Sequence, residues 1–297
     1  MTGDFPMNQR KARLSLILAM AIFGTIGLFV RAISVSSAEL ALYRAVIAAV
    51  LLSGYFLLTK TKLNLASIRK ELPLLLISGM AMGVNWILLF EAYKYTTVSV
   101  ATLSYYFAPV IVTVTCPILF KEKMGKMQWL CFAMSTLGLA LITGVGDLSA
   151  GSSHLMGIAF GLGAAVFYAT VMLLNKRIRG VSGLQRTYLQ FLAAIVILLP
   201  YVLCTGGFTL GTLGGSGWVN LLIVGCIHTG FAYCLYFPSI KELPGQETAI
   251  LSYIDPLLAC VLSVALLGES MTAMQLLGGA LILGFTLLNE LHGSKRS

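Results

Sequence analysis

The chain has 297 residues, 58% of them apolar and only 10% Asp, Glu, Lys or Arg, with a mean hydropathy of +0.90 and a net charge of +9. A water-soluble domain carries about 25% charged residues, so this composition excludes a soluble fold and makes lipid the main solvent. Six cysteines, at 116, 131, 204, 226, 234 and 260, fall singly in apolar runs without a CxxC pair and read as packing residues, against a disulfide or metal framework.

A bilayer crossing needs about 20 mostly apolar residues. Ten such runs follow in chain order: 14–32, 38–59, 72–93, 97–119, 128–145, 155–175, 188–205, 218–237, 247–267 and 273–290. The runs are continuous rather than alternating, which argues against a transmembrane β-barrel. The first follows Arg10, Lys11 and Arg13 as a signal peptide's core would, but it is long for one and nine more spans follow, so it reads as a retained helix.

With the N-terminus placed in the cytoplasm, 17 of the 20 Lys and Arg fall on the inner side. Only Arg31, Arg44 and Lys94 remain, and the outer loops GVGDLSAGSSH and TGGFTLGTLGGSG carry no basic residue. This is the positive-inside pattern of short loops. It implies both termini inside and explains the basic charge by topology, which removes the main support for nucleic acid as a partner.

An offset of 147 aligns 109–133 with 256–280, and nine of those 25 positions are identical, among them Pro109/Pro256, Glu122/Glu269, Met124/Met271 and Gln128/Gln275. Upstream, Gly83 meets Gly230, and a one-residue gap pairs Leu103-Ser104-Tyr105 with Leu251-Ser252-Tyr253. Such self-similarity marks an internal repeat. A unit of five spans is odd, so the second copy must be inverted in the membrane. The expected fold is therefore an all-α membrane protein of ten transmembrane helices in two inverted five-helix repeats, 1–146 and 154–297. Inverted repeats build secondary transporters that rock about a site near the bilayer midplane.

Two five-span halves, each with a Pro-containing fourth helix, a short KEK or GES turn and a fifth helix opening on M-x-x-M-Q, resemble the EamA family of the drug/metabolite transporter superfamily. Tyr43-Arg44 and the turn Ala92-Tyr93-Lys94-Tyr95 also fit. The resemblance covers essentially the whole chain and implies a ten-helix metabolite permease, often an exporter. Phe237-Pro238-Ser239 departs from the first copy by placing proline where Glu91 stands, so the eighth helix is expected to end differently from the third.

Ionisable groups deep in a span are costly and face the bundle interior or a water-filled cavity. Of eleven acids, only Asp255 sits well inside a span, with Thr248 and Ser252 expected on the same helical face as a continuous polar stripe. Three readings stand open: it binds a substrate amine, it carries a coupling proton, or it satisfies backbone groups freed around Pro256. His228 suits a proton relay with Asp255, or a hydrogen bond between helices. Asn85 and Trp86 lie near the same depth; such an Asn binds cargo or bridges helices. Arg44 reads as a snorkelling cation or as paired with Glu39 or Glu91, in an external gate or a structural ion pair. Tyr105, Tyr106, Tyr168 and Tyr253, with Tyr233 and Tyr236, suggest an aromatic-lined cavity for an amino acid or organic cation. Gly24, Gly27 and Gly278-Gly279 read as sites of close helix contact. No P-loop, HExxH, GxSxG or paired carboxylates appear, which implies no enzyme and no cofactor or metal, and leaves a gradient to drive transport. The expected setting is the plasma (inner) membrane, with a small-molecule substrate and the lipid bilayer as partners, in a monomer or homodimer.

Overall fold

In a computed structural model, residues 9–61, 65–120, 124–143 and 152–294 are described. Lys62, the Lys121-Glu122-Lys123 turn, most of the 144–154 loop, Lys295 and Arg296 lie outside the described residues. Among those described, the secondary structure is entirely helical.

The first half comprises α1 (Gln9–Arg31), α2 (Ser37–Leu58), α3 (Leu65–Tyr95), α4 (Val98–Tyr105), α5 (Ala108–Phe120) and α6 (Lys126–Thr143). The second comprises α7 (Ser152–Arg177), α8 (Gly183–Thr205), α9 (Gly215–Leu222), α10 (Ala232–Glu242), α11 (Gly245–Ser252), α12 (Ile254–Leu267) and α13 (Ala273–Ser294). A π-helical segment, Ile223–Phe231, joins α9 to α10 in one continuous rod. Nine helical stretches among the described residues are long and apolar enough to cross a membrane. The line of the fifth predicted span is taken by α6, an 18-residue helix that opens on Lys126 and Gln128 and packs along α13.

Local chemistry explains where these helices start. Ser36 caps α2, its hydroxyl accepting from the Glu39 amide at 3.1 Å in a Ser-x-x-Glu arrangement. Thr97 caps α4 in the same way through the Val100 amide at 3.2 Å. Left-handed Gly268 (φ 65°) ends α12 and lets the Glu269 amide reach back to the Ser263 carbonyl at 3.2 Å.

The predicted fourth and ninth spans are each broken. Proline has no amide and collides with the carbonyl four residues back. Ahead of Pro109 the chain tightens through Phe107 N–H···O Ser104 (3.2 Å), and ahead of Pro256 through Tyr253 N–H···O Ile250 (3.2 Å). The second break corrects one expectation: Thr248 and Ser252 lie on α11 and Asp255 on α12, so no continuous polar stripe forms. The eighth span differs from the third in its interior rather than at its end. It runs through Pro238 to Glu242, and the irregularity is the π segment.

Helix pairings recur with the halves exchanged. Helix α3 packs on α7 as α10 packs on α1; α5 packs on α7 as α12 packs on α1; α6 packs on α13. The correspondence reaches single residues. A Cβ on Gly83 would lie 3.3 Å from Leu198, and one on Gly230 would lie 2.5 Å from Leu51, and both pairs are related by the 147-residue offset. Small residues set these approaches because lipid gives helices little hydrophobic reason to associate. A Cβ on Gly24 would stand 2.7 Å from the Asp255 carbonyl, one on Gly161 would stand 2.9 Å from Ser104, and Gly138 and Gly278 abut each other's carbonyls.

Candidate functional site

The two breaks meet. Tyr106, at the end of α4, donates its hydroxyl to Asp255 Oδ2 at 2.6 Å, in the first turn of α12, and its ring lies 6.4 Å from that of Tyr253. A carboxylate in the first helical turn is favoured by the helix dipole, so the geometry alone provides part of the acid's stabilisation. Tyr105 stands at a right angle to Tyr106 (6.0 Å) and stacks on Tyr168 of α7 at 5.1 Å. Asp255, Tyr105, Tyr106 and Tyr233 are each half-buried. Gly24 brings the α1 backbone against the acid's own carbonyl and fixes one wall.

A second polar group lies on α2 and the π segment. Arg44, only 5% exposed, donates Nε–H to Thr229 Oγ1 at 2.7 Å and holds its guanidinium carbon 4.4 Å from the Trp86 ring and 5.7 Å from Phe90. Its expected ion pair is not formed. Glu91 pairs with Lys94 at 3.2 Å, while Glu39 accepts from Tyr43 (2.8 Å) and from the Thr209 amide (2.7 Å). The cause is direction: Arg44 lies on the α2 face turned toward Trp86 and the π segment, whereas both carboxylates are taken by groups near the helix ends.

The π segment places its polar side chains inward, and irregular helical turns of this kind concentrate at functional positions. His228 is buried, with Nε2 2.8 Å from Thr25 Oγ1, Nδ1 3.2 Å from the Ile223 carbonyl and its ring 5.1 Å from Phe29. It therefore ties α1 to the π segment, whereas Asp255 is held from α4. Asn85 is also buried, donating to the Ala164 carbonyl at 2.6 Å and bridging α3 to α7. Trp86 is shared between Arg44 and Phe191 (5.5 Å). Ser252 bonds back to the Thr248 carbonyl at 2.8 Å within α11. The structure thus gathers Asp255, Tyr105, Tyr106, Tyr168 and Tyr253 at one place, and sets Asn85, Trp86 and His228 into inter-helix contacts. Sequence reasoning missed Thr229 as the partner of Arg44, and Tyr93, whose hydroxyl is 3.5 Å from Thr102 Oγ1. Thr229 had a signal in its place beside His228 between Gly225 and Gly230.

Many apolar helices crossing a bilayer, with tyrosines and one acid gathered where two helices break, define a multi-pass membrane transporter. The EamA-like transporter family model matches residues 10–144 and 155–290, and the chain belongs to that family. An "Uncharacterized transporter YxxF" of Bacillus subtilis (strain 168) is 30% identical over 277 residues, 93% of this chain and 88% of its own. The "Uncharacterized inner membrane transporter YicL" of Salmonella typhimurium is 26% identical over 301 residues, 98% of each chain. A solved crystal structure shares the fold with a TM-score of 0.64 over 97% of this chain and 99% of its own, at 17% identity. The protein is thus an integral, multi-pass transporter of the plasma membrane, with a lipid bilayer around it and a small molecule as cargo.

Proposed function

We propose that this protein is a secondary-active exporter of an amino acid or related amine, working by alternating access of two inverted five-helix repeats around the cleft at the broken helices. Asp255 takes the ammonium group of the substrate on the outward stroke and a proton on the return. The observation that carries this reading is the Tyr106–Asp255 contact at the meeting of the two breaks. An acid there serves both half-cycles, because discontinuous helices free polar groups at the midplane where a rocking carrier holds its cargo. The tyrosine walls add cation–π and stacking surface for an amine. Ten spans with both termini in the cytoplasm belong to the same proposal and rest on the distribution of basic residues.

The test is counterflow in proteoliposomes of defined orientation. Wild-type protein exchanges labelled for unlabelled amino acid saturably and is driven by an imposed pH gradient. Asp255→Asn abolishes the response to the gradient. Unchanged flux and pH dependence in that variant reject the role of Asp255, and non-saturating flux without exchange rejects a carrier.

A further inference from the structure

We infer that Arg44 is the anion anchor of the transport site, taking the carboxylate of a zwitterionic substrate whose ammonium group is held by Asp255. The inference rests on the assignment of Asp255 given above and narrows the cargo from amines at large to amino acids.

Its starting point is an unusual bookkeeping of charge. Arg44 is 5% exposed, yet it belongs to none of the ion pairs among the described residues. Its Nε–H is used by Thr229, and Trp86 and Phe90 present ring faces to the guanidinium. Ring faces stabilise the cation but accept no directed pair of hydrogen bonds from the two terminal amino groups. Those groups form the planar fork that fits a carboxylate bidentately. A buried cation without an anion is costly, and a bound carboxylate would offset that cost.

Arg44 and Asp255 also have neighbours in common. The hydroxyls of Tyr93, Tyr105 and Tyr233 are within electrostatic reach of both. A plain amine would satisfy the acid and leave the guanidinium uncompensated, whereas a zwitterion satisfies both. A cavity of about 280 Å³ at the end of α3 is lined in part by Phe90, whose ring also faces the Arg44 guanidinium.

The test uses the purified full chain in nanodiscs and three probes of one skeleton: L-phenylalanine, phenethylamine, which lacks the carboxylate, and 3-phenylpropionate, which lacks the amine. Affinity is read by calorimetry and by tryptophan emission. Wild-type protein should bind phenylalanine at least ten-fold more tightly than phenethylamine. In Arg44→Gln, and in Arg44→Lys should the first variant not fold, that preference should fall to less than three-fold with phenethylamine binding retained. Trp86→Phe should bind phenylalanine but lose the emission change, since Trp129 and Trp218 lie elsewhere. Equal wild-type affinity for phenylalanine and phenethylamine, no binding of either, or a preference untouched in the Arg44 variants overturns the anchor. If phenethylamine binds through Asp255 and the carboxylate adds nothing, the anchor falls and the role of Asp255 stands. If phenylalanine depends on Arg44 but not on Asp255, the anchor stands and the amine assignment falls.

Discussion

At the scale of single residues, the centre of the molecule is organised by how few hydrogen-bond partners a charge can find in a bilayer. Asp255 stood out in the sequence because it is the one acid well inside a span, and the structure gives it the Tyr106 hydroxyl. Removing that hydroxyl leaves a carboxylate oxygen short of a donor, at a cost of about 1–3 kcal/mol. Tyr106→Phe should therefore weaken coupling of transport to the pH gradient while the protein still folds, measured as flux against imposed pH in proteoliposomes. Arg44 was legible as a misplaced cation, but its partners were not. The sequence offers Glu39 and Glu91 nearby, and only the rotation of α2 shows that the side chain turns to Thr229 and Trp86 instead.

At the scale of elements, two proline-directed breaks shape the proposed site. Pro109 and Pro256 stand in the first turns of α5 and α12, where proline is tolerated, and what they prevent is a continuous helix through Tyr106 and Tyr253. Pro256→Ala should let α11 run into α12, leaving the melting temperature equal or higher while transport falls at least several-fold. A variant that transports normally would show that the break is incidental. Gly24 is the opposite case, because the atom it faces is backbone and cannot swing aside. Gly24→Val should destabilise the fold by about 1–3 kcal/mol and displace Asp255, seen as a lower melting temperature together with lost substrate protection. The sequence showed prolines and glycines at these places but not that the glycine of one half presses on the break of the other.

At the scale of the whole molecule, α1 is fastened at both ends. Arg13 pairs with Glu247 at one end and Arg31 with Glu269 at the other, where Glu269 also accepts from the Ser263 hydroxyl and from the Val98 amide at 2.9 Å. In the proposed rocking cycle one end is released at a time. Arg31→Glu should slow exchange, and Arg31→Glu with Glu269→Arg should recover part of it; failure of the double variant to exceed either single one would remove the pair from the cycle. The Arg13 guanidinium holds the Glu247 carboxyl below its ordinary value of 4.5. A carboxyl whose folded value is depressed contributes above the unfolded value and loses that contribution as pH falls. The Arg13 contact thus contributes at neutral pH and is lost as pH falls through the depressed Glu247 value, below 4.5. Amide exchange at the start of α1 followed down the pH scale should show protection that Glu247→Gln lacks at neutral pH, and equal exchange in the two proteins would remove the contact.

The sequence by itself determined the solvent, the helical class, the approximate spans and the repeat. Those follow from composition and from residues compared along one line, such as Gly83 with Gly230. Only the tertiary structure decided which residues share a space. The halves exchange partners, so Tyr106 reaches an acid 149 positions away, and α2 places Arg44 against the π segment of the other half. An apolar helix carries almost the same hydropathy on every face, and its rotation is set by small residues and cross-half contacts that no local pattern records.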